Sequence, residues 1–192
     1  MTKSIALFGA GGKMGARLSK NLVGSPYQVR HVEVGEVGRK RLQDELGIAC
    51  CSVEEALKDV DVVILAVPDT LIGKLAADIA PQLKAGTMVM TLDAAAPFAG
   101  HLPKRPDLTY FVAHPCHPSI FSSEVHTPGS PDYFGGVTAA QSIVSALMQG
   151  PDSAFALGED IAKTIYQPIL RSYRVTDRKS TRLNSSHTVV SR

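Results

Sequence analysis

The run Ile5-Ala-Leu-Phe-Gly-Ala-Gly-Gly-Lys-Met-Gly15 constrains this chain more than any other stretch. A short apolar segment, Ile5 to Phe8, ends in a glycine-rich turn. Apolar residues then recur at helical spacing at Met14, Leu18 and Leu22. A buried parallel strand is short and apolar throughout, and a helix that opens at once on a glycine turn points free N–H groups at whatever sits there. Read as G-x-G-x-x-G, the pattern fails at Met14; read as G-x-x-G-x-x-G, it holds with Gly9, Gly12 and Gly15. This is the strand, phosphate loop and helix of a dinucleotide-binding unit. Gly9 serves the tight turn, and Gly11 and Gly12 leave room for a pyrophosphate against bare backbone. The loop Gly9, Ala10, Gly11, Gly12, Lys13, Met14 and Gly15 is thus the candidate pyrophosphate site.

A second strand-like run covers 27–34 and places Glu33 18 residues after Gly15. An acid at that distance accepts hydrogen bonds from the adenosine ribose and repels a 2′-phosphate, which favours NAD. Glu36 competes for the role. Arg39, Lys40 and Arg41 read as the solvated start of a helix, although basic residues there keep NADP possible.

Strand and helix patterns alternate onward. Helices are predicted over 38–46, 54–58, 70–83 and 154–166, and further strands over 60–67, 87–92, 108–113 and 142–148. Such alternation makes an α/β fold of the doubly wound Rossmann type with a mostly parallel sheet. The strand 60–67 stops at Pro68-Asp69, so Val67, Pro68 and Asp69 are placed beside the nicotinamide half of a cofactor. Strand 108–113 runs into His114-Pro-Cys-His-Pro118, a proline-stiffened turn. His114 and His117 are the candidate catalytic residues. An imidazole there takes the proton from a substrate hydroxyl, or binds a divalent metal that polarises a carbonyl. The spacing does not decide between these, and metal use stays open. Residues 119–136 read as a long loop over the same face, and Glu159 and Asp160 as a solvated helix face.

Residues 177–192 break with the rest. Asp177 to His187 is polar and aperiodic, and it reads as the translation of a sequencing-adapter oligonucleotide. The segment holds Arg178, Lys179, Arg182 and Arg192 against Asp177, so without it the formal net charge falls from +2 to about −1. The basicity therefore gives no reason to expect nucleic acid. No apolar stretch reaches the ~18 residues that span a bilayer, so no membrane partner is expected. Cys50, Cys51 and Cys116 are an odd, unpatterned set, which fits reduced thiols and a cytoplasmic location.

Gly9-Ala-Gly-Gly-Lys-Met-Gly15, Asp61-Val-Val-Ile-Leu-Ala-Val-Pro-Asp69 and the His-Pro turn after a strand resemble the 6-phosphogluconate and 3-hydroxyisobutyrate dehydrogenase superfamily. The His-Pro turn also resembles that of prephenate dehydrogenases. His114-Pro-Cys-His-Pro-Ser119, Asp132-Tyr-Phe-Gly-Gly136 and Ala146-Leu-Met-Gln-Gly-Pro151 are similar to the phosphogluconate-dehydrogenase-like group that includes D-apionate oxidoisomerases. The resemblance covers residues 1–176. It implies an NAD-linked oxidation of a sugar acid, a small-molecule partner and a homodimer. It also implies a C-terminal helical domain, absent here, that closes the site. A non-catalytic dinucleotide-binding module and a prephenate-dehydrogenase-like enzyme are the alternatives.

Overall fold

The computed structural model describes residues 2–116 and 140–175. His117, the loop 119–136 and the segment 177–192 lie outside the described residues. Strand β1 (Ser4–Phe8) leads to helix α1 (Lys13–Leu22), β2 (Gln28–Val32), α2 (Glu36–Leu46) and the short α3 (Val53–Leu57). Next come β3 (Val62–Leu65), α4 (Asp69–Ile79), a 3₁₀ turn at 80–82, β4 (Met88–Thr91) and α5 (Ala95–Phe98). The rest is β5 (Thr109–Cys116), β6 (Gln141–Gln149), α6 (Ala154–Ile165) and β7 (Ile169–Arg174).

The seven strands form one sheet in the order β2-β1-β3-β4-β5-β6-β7. The chain steps from β1 to β2 on one side, then crosses back to β3 on the other. That reversal is the topological switch point of a doubly wound fold, and it opens a crevice beyond the carboxyl ends of β1 and β3. Among the described residues, every pairing is parallel except β5 with β6. Alternation along β1 shows why both faces are covered. Ile5 and Leu7 pack with Leu18 and Leu22 of α1 and with Ile161 and Ile165 of α6. Ala6 and Phe8 pack on the opposite face with Leu57 of α3 and with Ile72, Ala76 and Ile79 of α4. Among the described residues, no helix is long and apolar enough to cross a membrane.

Three details depart from the sequence reading. The strand predicted to stop at Ala113 continues to Cys116, because β6 pairs with His114, Pro115 and Cys116 through Val144, Ile143 and Ser142. Pro115 is tolerated there because β5 has already outrun β4, whose last pair is Thr91 with Val112. Helix α4 ends at Ile79 where the prediction ran to 83, and it buries Ile72, Ala76 and Ile79 while Leu71 stays 50% exposed. Strand β7, at the edge of the sheet, was not foreseen as an element.

His31 on β2 is buried, and among the described residues its Nε2 has no hydrogen-bond partner. Burial lowers its pKa, because the charged ring is poorly solvated there. The unfolded chain gains a proton at this side chain below about pH 6.5, while the folded one resists it. Stability from this group is therefore present above that pH and is lost as the pH falls. Denaturant midpoints measured at pH 7.5 and 5.5 are expected to drop for the wild type and to drop less for His31→Leu. Equal drops would assign the acid sensitivity elsewhere.

Candidate active site

The glycine loop is built by three close approaches. Gly9 has φ +72°, and a Cβ there would lie 2.4 Å from the Ala66 carbonyl oxygen of the chain leaving β3. A Cβ on Gly15 would lie 1.9 Å from the Gly9 oxygen, so only glycine lets α1 seat against the loop. A Cβ on Gly11 would lie 2.4 Å from the backbone of Gly38 in α2. The bareness of Gly11 thus admits a neighbouring helix, where the sequence reading had given it to a pyrophosphate. Ala10 is buried and its N–H donates to the Val32 oxygen at 3.2 Å, so it shapes the loop and does not line the cleft. Gly12 is exposed, caps α1 and brings no side chain to the free N–H groups of the first turn. No acid stands in that turn, and Lys13 adds a positive charge to the positive end of the helix. Such an end attracts an anion.

Glu33 follows β2 and faces this loop. Its Oε2 accepts from the Gly11 N–H at 2.9 Å, and its Oε1 accepts from the Gly35 N–H at 2.8 Å. A carboxylate has about four lone-pair sites, so two bonds leave capacity for a ligand. Arg41 donates to the Gly11 oxygen at 2.7 Å, and Arg39 to the Val34 oxygen at 2.8 Å. Two of the three basic residues read as a solvated helix start thus hold backbone carbonyls. Glu36 lines a different hollow, shared with Arg39 and Lys40.

Two cavities open on the crevice. One, of about 410 Å³, is lined by Glu33, Val53, Leu71 and Leu75. The other, of about 400 Å³, is lined by Lys13, Met14, Asp69, Asp93, His114 and Tyr166. Both touch Gly12, Ala66, Val67 and Pro68. The crevice therefore has two lobes and a waist at the glycine loop. Asp69 opens α4. Burial lifts its carboxyl above the usual range and the Asp93 charge adds to that, while His114 opposes it.

His114 projects from the part of β5 that outruns β4. Its Nδ1 lies 3.2 Å from the Leu92 carbonyl oxygen and 3.4 Å from Asp93 Oδ2. Asp93 Oδ1 accepts from the Ala95 N–H at 2.7 Å, and the Thr91 hydroxyl donates to the Asp93 backbone oxygen at 2.9 Å. The Tyr166 hydroxyl, at the end of α6, donates to the Ala113 oxygen at 3.1 Å. Burial, with the Asp93 charge, raises the Tyr166 pKa. Sequence reasoning missed Asp93 and Tyr166, and it gave Arg41 to solvent or a 2′-phosphate rather than to the Gly11 carbonyl. Asp93 was within reach, since it follows β4 as Asp69 follows β3. Among the described residues, no three His, Cys, Asp or Glu side chains converge as a metal site.

Two family models match parts of the chain. "NADP oxidoreductase coenzyme F420-dependent" covers residues 4–96, and "Phosphogluconate dehydrogenase (decarboxylating) C-term" covers 123–188. The chain is 73% identical over 176 residues to a D-apionate oxidoisomerase of Cupriavidus necator, with 92% of this chain and 64% of that protein aligned. A D-apionate oxidoisomerase of Rhizobium rhizogenes is 65% identical over 172 residues, with 90% and 62% aligned. The chain thus spans a little under two thirds of these relatives. It superimposes with a TM-score of 0.92 on a crystal structure from Cupriavidus necator, a semialdehyde dehydrogenase NAD-binding protein in complex with calcium and NAD. That pair is 68% identical, and the match covers 99% of this chain and 70% of the other.

Proposed function

Since the chain belongs to the 6-phosphogluconate and 3-hydroxyisobutyrate dehydrogenase-like superfamily, we propose that it is the cofactor-binding part of an NAD-dependent oxidoreductase acting on a sugar acid. The oxidised group is a secondary alcohol beside a carboxylate, as a D-apionate oxidoisomerase-like activity requires. The observation that carries this reading is the two-lobed crevice with its waist at Gly12. A dinucleotide has that shape: two nucleoside halves joined by a pyrophosphate. The waist suits an anion, because the uncapped start of α1 and Lys13 lie there.

The roles follow from position. The N–H groups of Lys13 and Met14 bind the pyrophosphate beside the bare backbone of Gly12, whose own N–H donates to the Gly9 oxygen at 3.1 Å, while Gly9, Ala10, Gly11 and Gly15 hold the loop in shape. Glu33 accepts from the adenosine ribose. Val67, Pro68 and Asp69 flank the nicotinamide ribose. His114 takes the proton of the substrate hydroxyl, and His117 is a second candidate that lies outside the described residues. Bound NAD supplies the hydride acceptor. Residues 1–176 are the cofactor-binding domain, and 177–192, which read as adapter-derived, are not counted in it. The full-length protein is a homodimer whose further helical domain closes the site, as the resemblance to the dehydrogenase superfamily implies.

Titrating NAD and NADP into wild-type protein and Glu33→Ala tests the ribose assignment. Loss of a hydrogen bond to a charged acceptor is expected to weaken NAD roughly tenfold or more. NADP is expected to weaken less, because the lost charge also repelled its 2′-phosphate. Equal losses would overturn the ribose contact and leave Glu33 as a brace of the loop.

A further inference from the structure

We infer that Asp93 is the positioning residue of His114: beside the Leu92 carbonyl it favours the Nδ1–H tautomer, and it stabilises the ring once Nε2 has taken a proton. The inference rests on the reading of His114 as the base. A carbonyl oxygen only accepts, so the 3.2 Å contact with Leu92 puts the proton of the neutral ring on Nδ1. The lone pair is then on Nε2. The same Nδ1 is 3.4 Å from Asp93 Oδ2, and both side chains are about a quarter exposed, so the pair is only partly screened.

The carboxylate is itself fixed. Ala95 N–H holds Oδ1, Thr91 holds the Asp93 carbonyl, and Oδ2 is left toward the ring. From the far side Tyr166 pins the carbonyl of Ala113, the residue before His114. Asp69, Lys13 and Tyr166 face the same cavity from α4, α1 and α6. When the substrate alcohol is oxidised, its O–H proton goes to Nε2 and its carbon gives a hydride to the bound nicotinamide. The ring becomes a cation beside Asp93. An ion pair that exists only after proton transfer acts on the transition state more than on substrate binding. Removing it should lower kcat and leave KM in place.

The test combines two measurements on the full-length protein. Nitrogen chemical shifts of labelled histidine report which ring nitrogen carries the proton at a pH where the ring is neutral. An Nδ1–H ring is expected for His114 in the wild type. Steady-state turnover is expected to fall roughly 10- to 100-fold in Asp93→Asn, with KM for NAD unchanged within about twofold. An Nε2–H ring in the wild type overturns the proposal without any variant having to fold. Wild-type kcat in Asp93→Asn, with His114→Asn inactive, also overturns it while sparing His114 as the base. Wild-type turnover in His114→Asn overturns the catalytic reading itself.

Discussion

Gly15→Ala is expected to lower stability by about 3 kcal/mol and to remove measurable NAD binding, the stability figure lying at the upper end of core overpacking effects. The added methyl would meet the Gly9 oxygen at 1.9 Å and the Ala10 backbone at 2.8 Å. Neither neighbour is a flexible side chain that can swing aside. The loop is anchored elsewhere, since Gly9 and Ala10 both donate to the Val32 oxygen. Helix α1 must therefore lift from the sheet, which opens the packing of Leu18 and Leu22 and misaims the first-turn N–H groups. Gly24→Ala is the control. Gly24 also has a positive φ, +75°, but among the described residues nothing lies within 4 Å of an added Cβ. Its cost is backbone strain alone, about 1–2 kcal/mol, with cofactor affinity intact. Denaturant titration and cofactor titration of both variants separate the two effects. Comparable losses would mean that α1 does not seat on the loop.

His114→Asn in the full-length enzyme is expected to cut kcat by roughly 10²- to 10⁴-fold, the usual contribution of a positioned general base. Asparagine keeps a polar group near the Leu92 carbonyl but has no nitrogen that takes a proton at neutral pH. Cofactor affinity should stay within about twofold, because the waist and the Glu33 lobe lie away from position 114. Stopped-flow measurement of NADH formation with a sugar-acid substrate checks the first half, and cofactor titration the second. Full turnover in the variant removes His114 from the mechanism. Loss of cofactor binding in parallel would instead mark it as structural.

Local features were legible, and features made by register were not. The first βα unit could be read because its strand, turn and helix are adjacent in sequence and Gly15 answers to Gly9 within the same loop. The partnership of His114 with Leu92 and Asp93 spans more than 20 residues, and it exists only because β5 runs past the end of β4. No spacing rule contains that offset. The same holds for Gly11, whose missing side chain answers to Gly38, 27 residues on. The His-Pro segment read as a turn because prolines usually end strands; the antiparallel partner β6 keeps it extended. Strand β7 escaped notice because most of its residues face solvent at the sheet edge, so its apolar signal is thin.

One arrangement bears on how such a chain can change over evolutionary time. The Gly11 peptide is gripped at both ends by the segment after β2, through Glu33 on its N–H and Arg41 on its C=O. The side chain proposed to choose between the two nicotinamide cofactors is also a strut of the loop they share. Cofactor preference and loop rigidity are therefore inherited together. A lineage moving toward NADP cannot simply discard the acid; it must first supply another acceptor for the Gly11 N–H. Substitutions at 33 should be admissible only in company, and the same pairing would trap an engineer who altered that position by itself.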